Sequence, residues 1–508
     1  MQRRDWMVSG TPGWRVVAWL VLAALLASCS REHDAVLRFG LASAPLTLDP
    51  RYATDATSAR INRLLYQRLV EFDAALRPVP GIAQWDKISP THYRFTLRPD
   101  RAPFHDGSVL TPRDVKATYD SVLDVATVSP HRATLAMIER IDAPDDEHID
   151  FYLAKPDALF PGRLVIGIVP ASALRNSASL ARSPVGSGPF VFGAWPEEGR
   201  LQLVRRADEQ ALEFLTVKDS TVRVLKLLRG EIDMVQNDLP PEMISYARRH
   251  DALQVLTARG SNFSYLGFNL RDPVVGDERV RHAIAYGIDR DAIIHYMLAD
   301  AARPASALLA PDHWAGAPQL AGYAYDPERA RALLREAGYS NERRPQLEYK
   351  TSSDAFRVRL ATVIQQQLQK IGVDIALKTY DWGTFYGDIK SGQFQVFSLS
   401  WIGVKTPDIF RYAFHTESVP PQGANRGRYS DAQTDRLIDV ADASDDAAIA
   451  AENYRALQAR LLETLPYVPL WYEDHVFIAR RDITGYHMAH DGNYDGLVDV
   501  RRGAGVKP

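Results

Sequence analysis

The stretch from Ser264 to Ile294 constrains the fold more than any other part of this chain. It opens with an apolar run, Tyr265–Leu270, which is short and aromatic enough to predict a buried strand. A proline and a glycine then end the strand, and Asp277 and Asp289 are each placed to cap a helix. A strand that leads into two capped helices predicts an α/β fold. Because the stretch lies near the chain's midpoint, we expect a crossing between two lobes at Leu270–Asp277.

The amino terminus is typical of an export signal. Three arginines precede an apolar run of about a dozen residues, Val16–Ala27, which is too short for a membrane span of about 20 residues. The run ends in the letters LASC, which resemble a bacterial lipobox with Cys29 as the lipidated first residue of the mature chain. A plain secretory signal with a chance cysteine is the alternative. We therefore predict a lipoprotein signal peptide over residues 1–28.

Composition narrows the classes of function. The formal net charge is −3 and the basic residues form no stripe, so nucleic acid is not expected as a partner. Cys29 is the only cysteine, so once it is acylated no thiol remains for a disulfide, a redox pair or a thiolate metal site. The mature chain is long enough for two or three domains, and a core of that size can fold without disulfides.

Strands and helices alternate before the central stretch. Val36–Leu41 is predicted to be a strand, and an amphipathic pattern over residues 59–73, with Leu69 on its apolar face, predicts a helix. His92–Leu97 is a further predicted strand, and Thr111 is placed as the N-cap of a helix with proline at its first position. This alternation favours a sheet with helices packed on it.

The same alternation continues through the rest of the chain. Helix caps are predicted at Asp219 or Ser220 and at Asp326. The further predicted elements are the strand Ile232–Val235, the helix Arg357–Ile371 and the strand Val373–Thr379.

Three motifs suggest chemistry but lack residues that the chemistry needs. The pair His105-Asp106 combines a base with a carboxylate, yet no motif places a serine or cysteine nucleophile, so a turn is preferred to a catalytic site. The glycines at Gly186 and Gly188 lack the third glycine of a nucleotide loop. The letters DGNYDG begin like a calcium loop, but Arg502 holds the position of the last carboxylate ligand. We expect no catalytic residues, no cofactor and no metal.

Several segments together resemble one family. The letters YLGFNLRDP and DERVRHAIAYGIDRDAII come from the central stretch. The motif Y-x-F-x-L-R…F-H-D-G-x-x-L-T-x-x-D-V lies between Tyr93 and Val115, and the turn SPVGSGPF lies at Ser183–Phe190. These resemble, in this order, segments of the family 5 solute-binding proteins, the peptide-binding receptors of ABC importers. The resemblance extends from Leu37 to Arg481.

The resemblance implies a fold. This is the α/β, bilobed periplasmic-binding-protein fold of type II, cluster C, with an extra lobe. Lobe I is expected to be discontinuous, comprising residues 29–69, 186–269 and 484–508. Residues 70–185 are expected to form the extra lobe II, and residues 270–483 lobe III.

The resemblance also implies a ligand cleft. Family members have two tryptophans that face the cleft, with the same separation as Trp382 and Trp401. Each of these aromatic side chains is alternatively part of the core, since buried aromatics are common. The residues expected to bind the solute are Tyr265, Asn269, Trp382, Ser400, Trp401, Ile402, Asp408, Arg411, Asn425 and Tyr472.

One position departs from the family pattern. Peptide-binding members commonly carry an aspartate three residues after the second tryptophan, where it pairs with the N-terminal ammonium of the peptide. Here that position holds Val404, with Lys405 beside it. A buried ammonium without a counter-charge is costly. We therefore expect a solute whose amine is blocked, exposed or met by Asp408, and Lys405 or Arg411 would favour an anionic group on it.

The implied function is that of an extracytoplasmic receptor of an ABC importer. It would bind a peptide or peptide-like solute between its lobes, close on it, and deliver it to a permease with its ATPase subunits. We expect a monomer in the periplasm or cell envelope, tethered to the membrane by lipidated Cys29. Two alternatives stay open: an envelope or sensory lipoprotein of the same fold without a permease, and an α/β hydrolase-type enzyme. The enzyme would need a nucleophile with its base, or paired carboxylates.

Overall fold

The computed structural model describes residues 36–503, apart from the side chains of residues 175–178. The predicted signal peptide and Cys29 lie outside this range. The strands are β1 (Val36–Leu41), β2 (Val70–Phe72), β3 (Pro78–Pro80), β4 (Ala83–Ser89), β5 (His92–Leu97), β6 (Ile138–Asp142), β7 (His148–Leu153), β8 (Phe190–Glu197), β9 (Arg200–Arg205), β10 (Ala211–Thr216), β11 (Met234–Gln236), β12 (Leu253–Phe268), β13 (Ala302–Pro304), β14 (Gln346–Ser352), β15 (Asp374–Tyr380), β16 (Val396–Trp401), β17 (Tyr467–Arg480), β18 (Ile483–Thr484) and β19 (Arg501–Arg502).

Helices alternate with these strands. The α-helices are α1 (Ala56–Leu65), α2 (Pro112–Leu123), α3 (Ser177–Leu180), α4 (Ser220–Leu228), α5 (Pro241–Arg248), α6 (Glu278–Gly287), α7 (Arg290–Leu298), α8 (Pro327–Glu336), α9 (Ala355–Lys370), α10 (Trp382–Ser391), α11 (Ile409–Phe414), α12 (Ala432–Ala443) and α13 (Ala447–Thr464). Short 3₁₀ helices lie at Val125–Thr127, Ala133–Leu135, Phe160–Arg163, Ala173–Asn176 and Asp495–Val498. None of the helices within residues 36–503 is long and apolar enough to cross a bilayer.

Most strands belong to one eleven-stranded sheet. Its order is β15-β14-β16-β12-β17-β11-β1-β10-β9-β8, with β13 beside β17. Parallel pairing occurs in two places, where β1 lies between β10 and β11 and where β14 lies between β15 and β16. Parallel strands need crossover connections, and α4 and α9 supply them. The sheet therefore consists of two α/β halves, with the antiparallel pair β12 and β17 between them.

The long strands β12 and β17 carry the chain between the two halves. The first part of β12, Leu253–Ala258, pairs with β17 beside β11, whereas Asn262–Gly267 pairs with both β17 and β16. The ladder is interrupted between these parts. The crossing predicted at Leu270–Asp277 is therefore wrong, since this segment follows the end of β12 and its first amide donates to Gly427 O. The strand predicted at Tyr265–Leu270 matches the buried end of β12 as far as Phe268. The first part of β12 was missed because it is mostly exposed or half-buried.

A smaller sheet has a core of its own. Strands β4 to β7 pair antiparallel in the order β4-β5-β7-β6. Helix α2 packs on this sheet through Tyr119, whose ring meets Phe151 edge-on at 5.6 Å. Phe95 and Phe160 belong to the same buried cluster. These strands lie within the segment that we assign to lobe II, and the boundaries 70–185 remain a prediction.

The structure confirms the helix N-caps that were predicted from local sequence signals. Thr111 precedes α2, and its amide donates to Asp114 Oδ2 at 2.9 Å as in a capping box. Asp277 and Asp289 accept backbone hydrogen bonds at the starts of α6 and α7. Asp219, rather than Ser220, caps α4. Each such cap stabilises its helix by about 1 kcal/mol.

The helix predicted over residues 59–73 ends early. Helix α1 stops at Leu65, and Leu69 is instead buried in the core of the smaller sheet. The cause is a contact distant in sequence, because Leu65 O accepts from Gly188 N at 2.8 Å instead of continuing the helical ladder. A Cβ atom at Gly188 would lie 2.4 Å from Leu64 O, so only glycine permits this approach. The strand predicted at Ile232–Val235 is likewise displaced, to β11.

Candidate functional site

A cavity of about 230 Å³ lies at the carboxyl ends of β14 and β16, bounded by α9 and α10. Ligands of open α/β sheets commonly bind outside the carboxyl ends of the strands. We call this space the strand-end cavity. Its lining residues are Ser264, Tyr265, Tyr349, Thr351, Ser352, Arg357, Leu360, Ile364, Trp382, Phe385, Ser398, Leu399, Ser400, Ile402, Leu470 and Trp471.

Hydroxyl groups and one ion pair form the polar wall of the strand-end cavity. Ser264 Oγ and Ser400 Oγ lie 2.6 Å apart on paired strands, and Ser264 Oγ donates to Glu473 Oε1 at 2.8 Å. Arg357, near the start of α9, approaches the same carboxylate at 3.5 Å. Because Arg357 remains 39% exposed, its guanidinium keeps donors free for a ligand.

Stacked aromatic rings form the opposite wall. Trp382 stacks on Tyr386 with centroids 5.4 Å apart and an interplanar angle of 7°. Trp401 stacks on Tyr265 at 6.4 Å, and Tyr265 stacks on Tyr467 at 4.0 Å. Tyr265 is fully buried, whereas Trp382 is 59% exposed. The two ends of this wall therefore differ, since one is core and the other is open to a solute.

A buried cation lies behind the aromatic wall. The Arg426 guanidinium is 5.1 Å from the centroid of Trp401 and 5.4 Å from that of Tyr386. It donates to the hydroxyls of Tyr265 and Tyr386 at 3.2 and 3.1 Å. Among the described residues, no carboxylate lies within ion-pair distance of it. Hydroxyl dipoles and ring faces compensate its charge.

A second cavity, of about 290 Å³, adjoins the first at Ile402. We call it the cleft cavity, because segments from five separate parts of the sequence form it. Its lining residues are Pro50, Ala53, Ala56, Ala59, Arg60, Asn62, Arg63, Arg68, His131, Val165, Ile166, Gly167, Ile402, Gly403, Lys405, Asp491 and Asn493. The loop after β16 thus faces both α1 and the C-terminal segment.

Ion pairs hold the cleft cavity together. Lys405 Nζ lies 2.7 Å from Asp491 Oδ2, and Arg63 binds Asp495 through its Nε and Nη2 groups. Burial opposes the ionisation of Asp491, but Lys405 and then Arg63 outweigh it and lower the pKa of Asp491 to about 2. The Asp491 carboxylate is therefore ionised at neutral pH. It is tied to the loop that follows β16.

Asp408 is tied to the extra-lobe segment. Its Oδ2 accepts from Arg163 Nη1 at 2.9 Å, and its Oδ1 accepts from the Thr406 hydroxyl. It lines neither of the two cavities. An ammonium group of a solute would have to compete with Arg163 for this carboxylate.

The structure brings four of the predicted ligand residues together. Tyr265, Trp382, Ser400 and Ile402 line the strand-end cavity, and Ile402 also lines the cleft cavity. Trp401 lies behind them, between Tyr265 and Arg426.

The other predicted residues satisfy their hydrogen bonds within the protein. Asn269 Nδ2 donates to Gly392 O, and Asn425 holds the backbone of Tyr429. The Tyr472 hydroxyl donates to two backbone carbonyls, and Arg411 pairs with two aspartates. Neither cavity is lined by any of the four.

Sequence reasoning missed several polar residues of the site. Arg357, Glu473 and Arg60 reach it from α9, β17 and α1, elements that no single motif joins. Arg357 was read only as part of an amphipathic helix. The only available signal was its place on the first turn after a strand end, where α/β ligand sites form.

The fold and the cleft define a bilobed periplasmic-binding-protein fold of type II, cluster C, with an extra lobe. Solved structures confirm this class. HbpA2 from Haemophilus parasuis superposes with a TM-score of 0.81 at 23% identity, covering 92% of this chain and 99% of that chain. The dipeptide binding protein from Pseudoalteromonas sp. SM9913, in complex with Met-Leu, has a TM-score of 0.73 at 22% identity, with 92% and 100% covered.

The chain belongs to the bacterial extracellular solute-binding proteins, family 5, whose model matches residues 77–419. Among relatives, the Di/tripeptide-binding protein 2 of Pseudomonas aeruginosa is 28% identical over 92% of this chain and 96% of its own length. The Dipeptide-binding protein of Escherichia coli is 25% identical over 87% of this chain and 90% of its own.

Proposed function

We propose that this chain is the extracytoplasmic receptor of an ABC importer and that it binds a peptide or peptide-like solute. The observation that carries the proposal is the pair of adjoining cavities at Ile402, in a chain of the solute-binding family 5. Two relatives named for di- and tripeptides or dipeptides support peptides as the solute class. The receptor holds its solute and releases it unchanged to a permease with its ATPase subunits.

Closure of the lobes is the proposed mechanism. The interruption of β12 between Ala258 and Asn262 is one of the places where the two sheet halves can pivot. Ion pairs Lys405–Asp491 and Arg163–Asp408 span segments that we assign to different lobes. They stabilise the closed form, in which water is excluded from the cleft and polar contacts to the solute strengthen.

The solute is proposed to lack a buried free ammonium. Val404 stands where peptide-binding relatives carry the aspartate, and Asp408 is engaged by Arg163. Backbone groups around Ser400 and Ile402 hold the solute like an added strand, because β16 ends there. Trp382 covers it from one side.

The mature chain is proposed to act as a monomer in the periplasm or cell envelope. Its predicted anchor is lipidated Cys29.

Identification of the bound solute tests the proposed function. The mature protein is purified from its native host, denatured, and the released small molecules are identified by mass spectrometry. A peptide or an N-blocked peptide that rebinds in calorimetry supports the proposal. Recovery of a chemically altered solute after incubation with the pure protein would show an enzyme instead.

The prediction that the solute lacks a buried free ammonium is tested on the wild type and on Asp408→Asn. Free and N-acetylated forms of one peptide are compared by calorimetry. We expect the acetylated form to bind at least as tightly as the free form. Tight binding of the free peptide that Asp408→Asn leaves unchanged would refute this account of the site.

A further inference from the structure

We propose that Arg60 is a specificity-determining residue that binds an anionic group, most simply a carboxylate, on the solute. The inference rests on the proposed function of the cleft and names the solute's chemical class. Arg60 lies on α1 and lines the cleft cavity opposite the loop that follows β16.

The charges around the cleft cavity do not balance. Four cations line it: Arg60, Arg63, Arg68 and Lys405. The last three bind the carboxylates of Asp495, Glu71 and Asp491. Four cations against three carboxylates leave one positive charge, and it belongs to Arg60.

Arg60 has no carboxylate partner among the described residues. Its guanidinium carbon lies 5.5 Å from the centroid of the Tyr494 ring. The side chain is half-buried, so water screens its charge less than on an open surface. Lys405 and Arg63 already hold nearby carboxylates in place, whereas Arg60 lines the cavity with a hydrogen bond to the Tyr494 side chain and no carboxylate partner among the described residues. A guanidinium of this kind suits a carboxylate, which can accept two parallel hydrogen bonds.

The strand-end cavity shows the same bias in charge. Arg426 is buried without a carboxylate partner behind Trp401, and Arg357 lines the cavity with only a 3.5 Å contact to Glu473. Val404 stands at the position where the resemblance to the family implies an acidic residue. The two cavities therefore both favour negative charge on a solute that spans them.

The test uses N-acetyl-alanyl-alanine, which has a free carboxylate, and its C-terminal amide. Binding of both to the mature chain is measured by calorimetry. We expect the wild type to bind the acid at least tenfold more tightly than the amide, since charge-assisted hydrogen bonds are about twice as strong as neutral ones. Arg60→Gln should remove this preference, and Arg60→Lys should keep part of it. Arg113→Gln, an exposed α2 change of the same charge, is the matched control.

The outcomes separate the two proposals. Equal binding of acid and amide by wild type and Arg60→Gln overturns the role of Arg60 and leaves peptide binding intact. If neither peptide binds, thermal unfolding is measured with acetate, succinate and citrate. Stabilisation of wild type but not of Arg60→Gln then supports Arg60 and refutes the peptide function. Absence of any carboxylate effect on the wild type overturns both, provided that the unliganded variant unfolds at the wild-type temperature.

Discussion

The strand-end cavity and the cleft cavity meet at Ile402 but are held together differently. The strand-end cavity is built from neighbouring strands of one sheet, with stacked rings such as Tyr265 on Tyr467. The cleft cavity joins segments far apart in the sequence, and its contacts are ion pairs such as Arg63–Asp495, whose partners are 432 positions apart. Strand ladders and buried rings do not depend on salt, whereas partly exposed ion pairs do. We therefore expect the strand-end cavity to keep its shape and the cleft cavity to open.

The largest effect is expected from Tyr265→Ala. This side chain is fully buried and stacks on Tyr467, Trp401 and Phe263. Its removal should lower the free energy of unfolding by about 3–5 kcal/mol, as for other buried aromatic truncations. Urea unfolding followed by circular dichroism measures the change.

Tyr265→Phe is the matched control for that experiment. It keeps the ring and removes only the hydroxyl that accepts from Arg426, so a loss of about 1 kcal/mol is expected. If Tyr265→Ala were as stable as Tyr265→Phe, the wall would not be part of the core.

The second largest effect expected is a pH dependence of folding stability that is caused by His313. Its Nδ1 accepts from Ala315 N at 3.0 Å, so Nε2 must carry the proton that it shares with Lys405 O at 3.0 Å. Burial lowers the pKa of His313 to about 4, below the value of about 6.5 expected in the unfolded chain. The unfolded state therefore binds the proton first. The resulting stability is complete above about pH 6.5 and is lost as the pH falls through about 4, by at most about 3 kcal/mol.

His313→Gln isolates this effect. The glutamine amide can still donate to Lys405 O but does not titrate. The free energy of unfolding of the variant should fall less steeply between about pH 6.5 and 4 than that of the wild type. Parallel curves for the two proteins would contradict the assignment.

The third effect comes from the ion pair across the cleft cavity. Asp491→Asn should lower the free energy of unfolding by about 2 kcal/mol, because the pKa of Asp491 is about 2 and lies below its unfolded value of about 3.9. Loss of the ion pair with Lys405 should also favour the open form over the closed form. In the wild type this contribution is complete above about pH 3.9 and is lost as the pH falls through about 2. Small-angle scattering should show a larger radius of gyration for Asp491→Asn. Asp499→Asn, an exposed neighbour, serves as the control.

The salt dependence of the radius of gyration tests the same ion pair. The radius of the wild type should grow at 1 M sodium chloride, where the screening length is about 3 Å, and that of Asp491→Asn should change less. A wild-type radius that is independent of salt would show that the cleft does not depend on its ion pairs.

The sequence predicted most of what local interactions determine. Caps at Asp277, Asp289 and Thr111 were identified because each depends on residues within one helical turn. The family motifs predicted the fold class for the same reason, since they mark turns and caps in a fixed order. The end of α1 was missed because Gly188, more than a hundred positions away, supplies the interaction that stops it.

The site was predicted less completely than the fold. Tyr265, Trp382, Ser400 and Ile402 were found because a single strand–helix segment and one long strand carry them. Ser264 and Glu473, which form a polar cluster with Ser400, were missed because pairing of β12 with two different strands assembles this cluster. Arg60 could not be chosen among sixty basic residues, since only the folded chain shows which carboxylates are already taken.

The smallest effect on stability, and the sharpest contrast with Tyr265, is expected from Trp382→Ala. Both rings line the strand-end cavity, but Trp382 is 59% exposed, so the free energy of unfolding should change by less than about 0.5–1 kcal/mol. In the proposed binding mode its exposed face stacks on the solute, so affinity for the co-purified solute should fall by about tenfold or more. Tyr296→Ala, at an 80% exposed ring outside both cavities, should leave affinity unchanged. If Trp382→Ala and Tyr296→Ala bind the solute equally well, the open end of the aromatic wall does not contact it. The solute would then be confined to the cleft cavity.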